Sequence, residues 1–289
     1  MTKFWLLIIT SFFLWPLSAK AFTVSPTRTL LTVDPGGKAN ITINLKNDSK
    51  EKRNYELETL TFSQNEKGEV VYERRASQAE EWVKTSISKM MLDSEESRKI
   101  NYVVEVPKNA PAGSYYLALG IKELRGGEGE LGLSGQIISL VTIQVAGSIT
   151  ENLEIKAVKS LQSVYFSTPW KAEIAVKNLS PIEVPLQGKV FLKDPFGELI
   201  AYENLALGRD VLANSERRTQ FDLWEKEKIL MPGVYHLYFD ITYGKTGGKI
   251  GTEIAVWYLP NWFLVTAAGV LVLVVFLSIL KRISKKRND

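Results

Sequence analysis

The 289-residue chain carries 36 Lys and Arg against 32 Asp and Glu, with one histidine and no cysteine. Its formal charge of +4 is local: Lys3, Lys20 and the tail from Lys281 (five bases, one acid) carry +6 and leave the stretch between near −2, so there is no basic field for nucleic acid. The missing cysteines exclude thiolate catalysis, Cys-ligated metal and disulfides, and a single histidine leaves no His-paired nucleophile beyond a Ser-Lys or carboxylate pair.

The first 21 residues read as a secretory leader. Lys3 is a short positive region, Phe4 to Trp15 is apolar, and Ala19-Lys20-Ala21 is a small-x-small cleavage site before Phe22. Thr29 to Val33 is then strand-like and ends in the turn Asp34-Pro35-Gly36-Gly37. Ile41, Ile43 and Leu45 alternate with polar neighbours, the period of a half-buried strand that closes at Asn47. Tyr55-Leu57 and Leu60-Phe62 suggest the next strand, and Asn65 to Gly68 a hairpin turn before Val70 to Tyr72. Gln78 to Val83 fits one helical turn carrying Trp82. Ile87 to Leu92 and Lys99 to Val106 are strands, the second stopped by Pro107. Tyr115-Leu117-Leu119-Ile121 alternates again, with Tyr116 on the opposite face. Leu124 to Gly135 is glycine-rich and reads as a mobile hairpin tip, and Ile137 to Val145 as a central strand.

Gly147 to Asn152 is the expected boundary. Strands follow around Leu153 to Ala157, Trp170 to Lys177, Val190 to Leu192, Arg217 to Leu223, Val234 to Ile241 and Lys249 to Trp257. Two short motifs recur. Ile43-Asn44-Leu45-Lys46-Asn47 matches Ile174 to Asn178, and Pro111 to Tyr115 matches Met231 to Tyr235. This is the mark of a duplicated domain and not of a solenoid.

From Trp262 to Leu280 there is neither charge nor proline. As a helix that run is roughly 28 Å long, against roughly 30 Å of bilayer hydrocarbon. Lys281, Arg282, Lys285, Lys286 and Arg287 follow and mark a cytoplasmic side, while Trp257, Tyr258 and Trp262 suit the opposite interface. The expected fold class is all-β: two tandem immunoglobulin-like β-sandwiches over 22–147 and 148–258, a transmembrane helix over 259–280, and a basic tail over 281–289.

No catalytic, cofactor or metal constellation emerges. His236 sits alone on an alternating strand, and Glu80-Glu81 and Glu95-Glu96 read as solvated loop acids. Asn40, Asn47 and Asn178 begin Asn-x-Ser/Thr triplets that matter only in a glycosylating host. Most aromatics are expected in the core.

The layout resembles the WxL-interacting proteins of bacterial cell surfaces. The likeness rests on Phe22-x-Val24-x-Pro26, Pro35-Gly36-Gly37 leading into Ile41-x-Ile43-x-Leu45-x-Asn47, Trp82-Val83, Val104-x-Val106-Pro107 and Ala112-Gly113-x-Tyr115. It implies a peptidoglycan-binding first domain and a second domain that binds a host ligand. Ser25-Pro26-Thr27-Arg28, with the strand ending at Asn47, also resembles the opening strands of periplasmic pilus-type chaperones. There, an arginine at the Arg28 position helps anchor a subunit's C-terminal carboxylate. The expected function is therefore a non-catalytic protein of the bacterial plasma membrane, single-pass, held in the bilayer by its helix. Its ectodomain would bind peptidoglycan or another surface protein, with Arg28, Trp82 and Tyr116 as candidate contacts. The alternative is a membrane-tethered chaperone for exported or pilin-like subunits.

Overall fold

The computed structural model describes residues 22–74, 78–124, 135–208, 210–224 and 231–288, with side chains to 283 in the last stretch. The leader with Ala19 and Ala21, residues 125–134 of the expected hairpin tip, and the side chains of Lys285, Lys286 and Arg287 lie outside the described residues. The chain forms two compact units. The first takes in the described residues to Thr61 with Glu73–Ala110 and Tyr115–Val145; the second takes in Phe62–Tyr72, Pro111–Ser114 and the residues from Ala146.

Two sheets face each other across the first sandwich. β1 (Phe22–Ser25), β3 (Lys38–Asn47), β8 (Ser97–Glu105) and β6 (Val83–Lys84) lie in that order in one sheet. The other runs β2 (Arg28–Val33), β10 (Gln136–Val145), β9 (Gly113–Leu124), β4 (Arg53–Gln64) and β5 (Val70–Glu73), with β7 (Lys89–Leu92) also on β4. Period-two sequence makes these strands two-faced: Ile41, Ile43 and Leu45 are buried between exposed Asn40, Thr42 and Asn44. Ile100, Tyr102 and Val104 of β8, with Leu117, Leu119, Val141 and Ile143 of the opposite sheet, complete the core. In the turn before β3, Gly36 has φ +78 and the Gly37 amide donates to Asp34 O at 2.8 Å. That backbone favours glycine.

The second sandwich repeats the plan. One sheet holds β11 (Leu153–Ser160), β13 (Trp170–Asn178) and β16 (Glu216–Leu223). The other holds β12 (Val164–Tyr165), β18 (Gly248–Tyr258), β17 (Gly233–Tyr243), β14 (Leu186–Lys193) and β15 (Leu199–Leu205). Fully buried Trp170 anchors the core, its ring 5.0 Å from Tyr165, 5.0 Å from Tyr235 and 5.1 Å from Tyr258. Tyr258, expected among interfacial aromatics, belongs to this cluster and is 8% exposed, because even positions of β18 face inward.

Asn47 ends β3 and Asn178 ends β13, both fully buried. Asn178 Nδ2 donates to Ile182 O, Val211 O and Leu212 O at 2.7, 2.9 and 3.1 Å, and its Oδ1 accepts from Ser180 N. Asn47 does the same with Glu51 O, Leu92 O and Asp93 O, while Ser49 N donates to it. The repeated motif is thus a pair of internal turn clamps, and burial keeps both asparagines from any glycosylating enzyme.

Glu173 on β13 has a side chain only 7% exposed, with Lys159 and Arg218 each at 3.0 Å and Gln220 Nε2 donating at 2.9 Å. The Gln220 hydrogen bond, then Lys159, outweigh desolvation and hold its carboxyl down to about 2. A depressed carboxyl stabilises the fold above its unfolded pKa and loses that contribution as pH falls toward the folded one. Thermal melts should show wild type exceeding Glu173→Gln at pH 7, with the gap closing between pH 4.5 and about 2. A gap independent of pH would refute the assignment.

The helix α2 (Asn261–Asn288) follows β18 after two residues. Its stretch Asn261–Ile283 is long and apolar enough to cross a membrane, and none of it is buried. Thr266 and Ser278 turn their hydroxyls back onto Phe263 O and Val274 O, at 2.9 and 2.8 Å, leaving no free polar hydrogen on those residues for lipid. Trp262, Lys281 and Arg282 are exposed.

Candidate functional site

β1 pairs with β3 from Phe22 opposite Asn47 to Ser25 opposite Asn44. The chain then changes sheets. Pro26 has no amide hydrogen to continue the ladder, and β2 pairs parallel with β10 from Arg28 opposite Leu140 to Val33 opposite Val145. Two hydrogen bonds pin the crossing: Ser139 Oγ donates to Pro26 O at 2.7 Å, and the Leu140 amide donates to Thr27 O at 2.9 Å.

The crossing leaves an opening. β10 begins at Gln136, four residues before β2 joins it, so its leading residues have no hydrogen-bonded strand on that side among the described residues, although β1 lies close by. Gln136 is exposed, and Ile137 and Ile138 are half-buried. β2 is itself the outermost strand of its sheet, with Arg28 exposed and Leu30 58% exposed. Unpaired backbone flanked by apolar side chains is a template for an added strand. Arg28 stands where the opening meets β2 and has no ion pair with a described residue. Its guanidinium is the kind of group that binds a carboxylate in a two-pronged fashion.

The other two sequence candidates lie elsewhere. Trp82 ends the short helix α1 (Gln78–Trp82), is 5% exposed, and packs its ring 4.5 Å from that of Tyr115. It is a core residue with no free face for a ligand. Tyr116 is half-buried, as is Tyr115, because β9 is interior to its sheet and Ala118 and Gly120 on the far face are also buried. Neither is brought near Arg28 by any described contact. The sequence missed the opening itself, since it depends on β1 and β2 belonging to different sheets. The proline between two short apolar runs was the available signal.

A charged cluster marks the other sheet. Lys38 and Lys84 bind Glu105 at 2.6 and 2.7 Å and hold its carboxyl at about 2. These exposed pairs fix strand edges and leave no unengaged group. Among the described residues no group of three or more His, Cys, Asp or Glu could hold a metal ion.

No protein-family model matches the chain, and no curated protein does. Several solved structures are similar in outline. A class 5 fimbriae chaperone, CfaA, is 12% identical with a TM-score of 0.45, covering 83% of this chain and 99% of its own. The Escherichia coli chaperone DraB is 12% identical at TM-score 0.41, covering 82% and 97%. The Pseudomonas aeruginosa CupB2 chaperone is 12% identical at TM-score 0.36, covering 81% and 100%. Identities this low, with TM-scores under 0.5, carry no argument about partner or mechanism.

Proposed function

We propose that this chain is a non-catalytic assembly factor of the bacterial plasma membrane. Its first sandwich holds an extended segment of an exported protein along the open edge at β2 and the start of β10. Its helix spans the bilayer, with the sandwiches outside and the basic tail inside. The observation that carries the reading is the sheet change at Pro26, which leaves the β2-side edge of Gln136–Ile138 without a hydrogen-bonded strand among the described residues, beside exposed Arg28. The backbone there supplies strand addition, alternate side chains supply selectivity, and Arg28 supplies a terminus for a C-terminal carboxylate to bind. The sequence likeness of Ser25–Arg28 to pilus-type chaperones agrees with this. Capture of wall glycan is a second reading, favoured by a groove on the second sandwich described below.

The test uses the full chain in detergent. A labelled nine-residue peptide of alternating valine and threonine, made with a free carboxylate or a C-terminal amide, is titrated by fluorescence anisotropy. The free acid should bind, and both the amide and the Arg28→Ala protein should bind roughly tenfold more weakly. Equal affinity for acid and amide, or an Arg28→Ala protein that binds like wild type, would overturn the role of Arg28. No binding of either peptide would overturn the strand-capture reading itself.

A further inference from the structure

The outer face of the second sandwich carries a groove that the strand-capture reading does not use. Its volume is about 650 Å³, and it lies against β14, β15 and β17. That size is in the range of roughly 300–1,000 Å³ typical of small-molecule sites. Cross-strand register sets its floor in rows. Gln187 lies opposite Thr242. Lys189 lies between Asp240 on one side and Asn204 on the other. Phe191 closes that end of the groove, and its register partner Tyr202 stands outside the lining beside it. Three rows at two-residue steps span roughly 13 Å.

These groups are unengaged. Gln187, Lys189, Asn204 and Asp240 are exposed, and none has a side-chain hydrogen bond or ion pair with a described residue. Lys189 and Asp240 are register partners yet do not close to an ion pair. Asp240 faces Gly251 across β18, so no side chain screens it there. The aromatic end is open too. Tyr202 is 62% exposed, and its ring centroid lies 6.4 Å from that of half-buried Phe191 at 35°. A tyrosine this exposed buries little apolar area in the fold and offers a face to something else.

The combination narrows the ligand. Among the described lining residues one acid stands beside one base and gives no net field, which disfavours a phosphate or other strong anion. The lining sets a carboxylate, two amides, a hydroxyl and an ammonium among Leu186, Leu205, Ala206 and Leu207, a mixture that suits a ligand with both polar and C–H faces better than a lipid chain. Closely spaced donors and acceptors ending in a flat apolar ring match a sugar, whose hydroxyls bond in the ring plane and whose C–H face stacks on an aromatic. We propose that this groove binds a short, uncharged oligosaccharide, with Tyr202 and Phe191 as the stacking platform. Asp240, Asn204 and Gln187 take its hydroxyls. This inference does not rest on strand capture by the first sandwich.

The experiment titrates the full chain, in detergent, with chitotetraose, cellotetraose and maltotetraose by isothermal calorimetry. At least one should bind saturably. Tyr202→Ala and Asp240→Ala should each weaken that binding about tenfold, while Phe196→Ala, a residue 81% exposed in the β14–β15 turn and outside the lining, should not. Both tested positions are on the surface, and matching circular dichroism melts establish that the variants fold. Independently, saturation transfer from the aromatic protons of the wild-type chain should reach the ring protons of the bound sugar. Absence of saturable binding to all three probes would overturn the proposal. So would affinity unchanged in both variants, or no transfer to a sugar that binds. Because peptide affinity reads Arg28 and sugar affinity reads Tyr202, the failure of one leaves the other measurable.

Discussion

Asn178→Asp should destabilise the second sandwich by about 3–5 kcal/mol, seen as a lower midpoint in urea. The change keeps the shape and swaps the amide nitrogen for an oxygen. That oxygen would sit among Ile182 O, Val211 O and Leu212 O, three carbonyls that now accept from Nδ2. All three would lose the Nδ2 hydrogen bond and face a carboxylate oxygen instead, and although Val211 O keeps the Val184 amide and Leu212 O the Ser215 amide, the residue is fully buried, so water does not relieve the repulsion. A protonated carboxyl restores one donor, so the loss should be smaller at pH 4 than at pH 7. Asn47→Asp should act alike on the first sandwich, where the longest of the three bonds is 3.4 Å and the effect correspondingly weaker. Asn40→Asp, on the exposed face of β3, is the control and should change little. A loss under about 1 kcal/mol for Asn178→Asp would mean that the clamp contributes no more than an ordinary surface turn.

Trp170→Ala should cost a further about 3–5 kcal/mol in the same unit, the range for emptying a large aromatic site. Three tyrosine rings lie within 5.1 Å of the indole, and two of them have hydroxyls tied down elsewhere. Tyr235 donates to Met231 O at 2.8 Å, and Tyr165 accepts from the Lys171 amide at 3.0 Å. Such tethered rings cannot collapse into the space left behind, which places the cost at the upper end. Trp170→Phe should be much milder. The indole N–H has no hydrogen-bond partner among the described residues, so the smaller ring removes volume without orphaning a polar group. Equal losses for the alanine and phenylalanine variants would refute this account.

The two sandwiches were legible because their central strands are two-faced. β3 and β13 each run from alternating apolar residues into a buried asparagine, and that grammar is visible in five letters. Edges were harder to read. β15 has exposed Tyr202, Glu203 and Asn204 in succession, a pattern without period, because an outermost strand is covered on neither side of its far margin. β12 is two residues long. β4 buries Leu57 and then Leu60, a step of three that breaks its period without ending the strand. The sites were less legible than the fold for the same reason. The opening beside Arg28 and the Asp240 side of the groove are assembled by register between strands far apart in the chain. Trp82 shows the converse: a tryptophan in a polar stretch looks available, and only the packing against Tyr115 reveals which way it turns.

Only Leu259 and Pro260 separate the last strand from the helix, and both are held. The Leu259 amide donates to Tyr165 O at 2.8 Å, and Pro260 O accepts from the Phe263 amide at 2.9 Å. Two residues extend roughly 7 Å at most. With the helix in a bilayer, the second sandwich has a very short leash and almost no slack to swivel. The end of that sandwich holding Tyr165 and Tyr258 would then stay within about 7 Å of the headgroups, pressed to the surface rather than standing off from it.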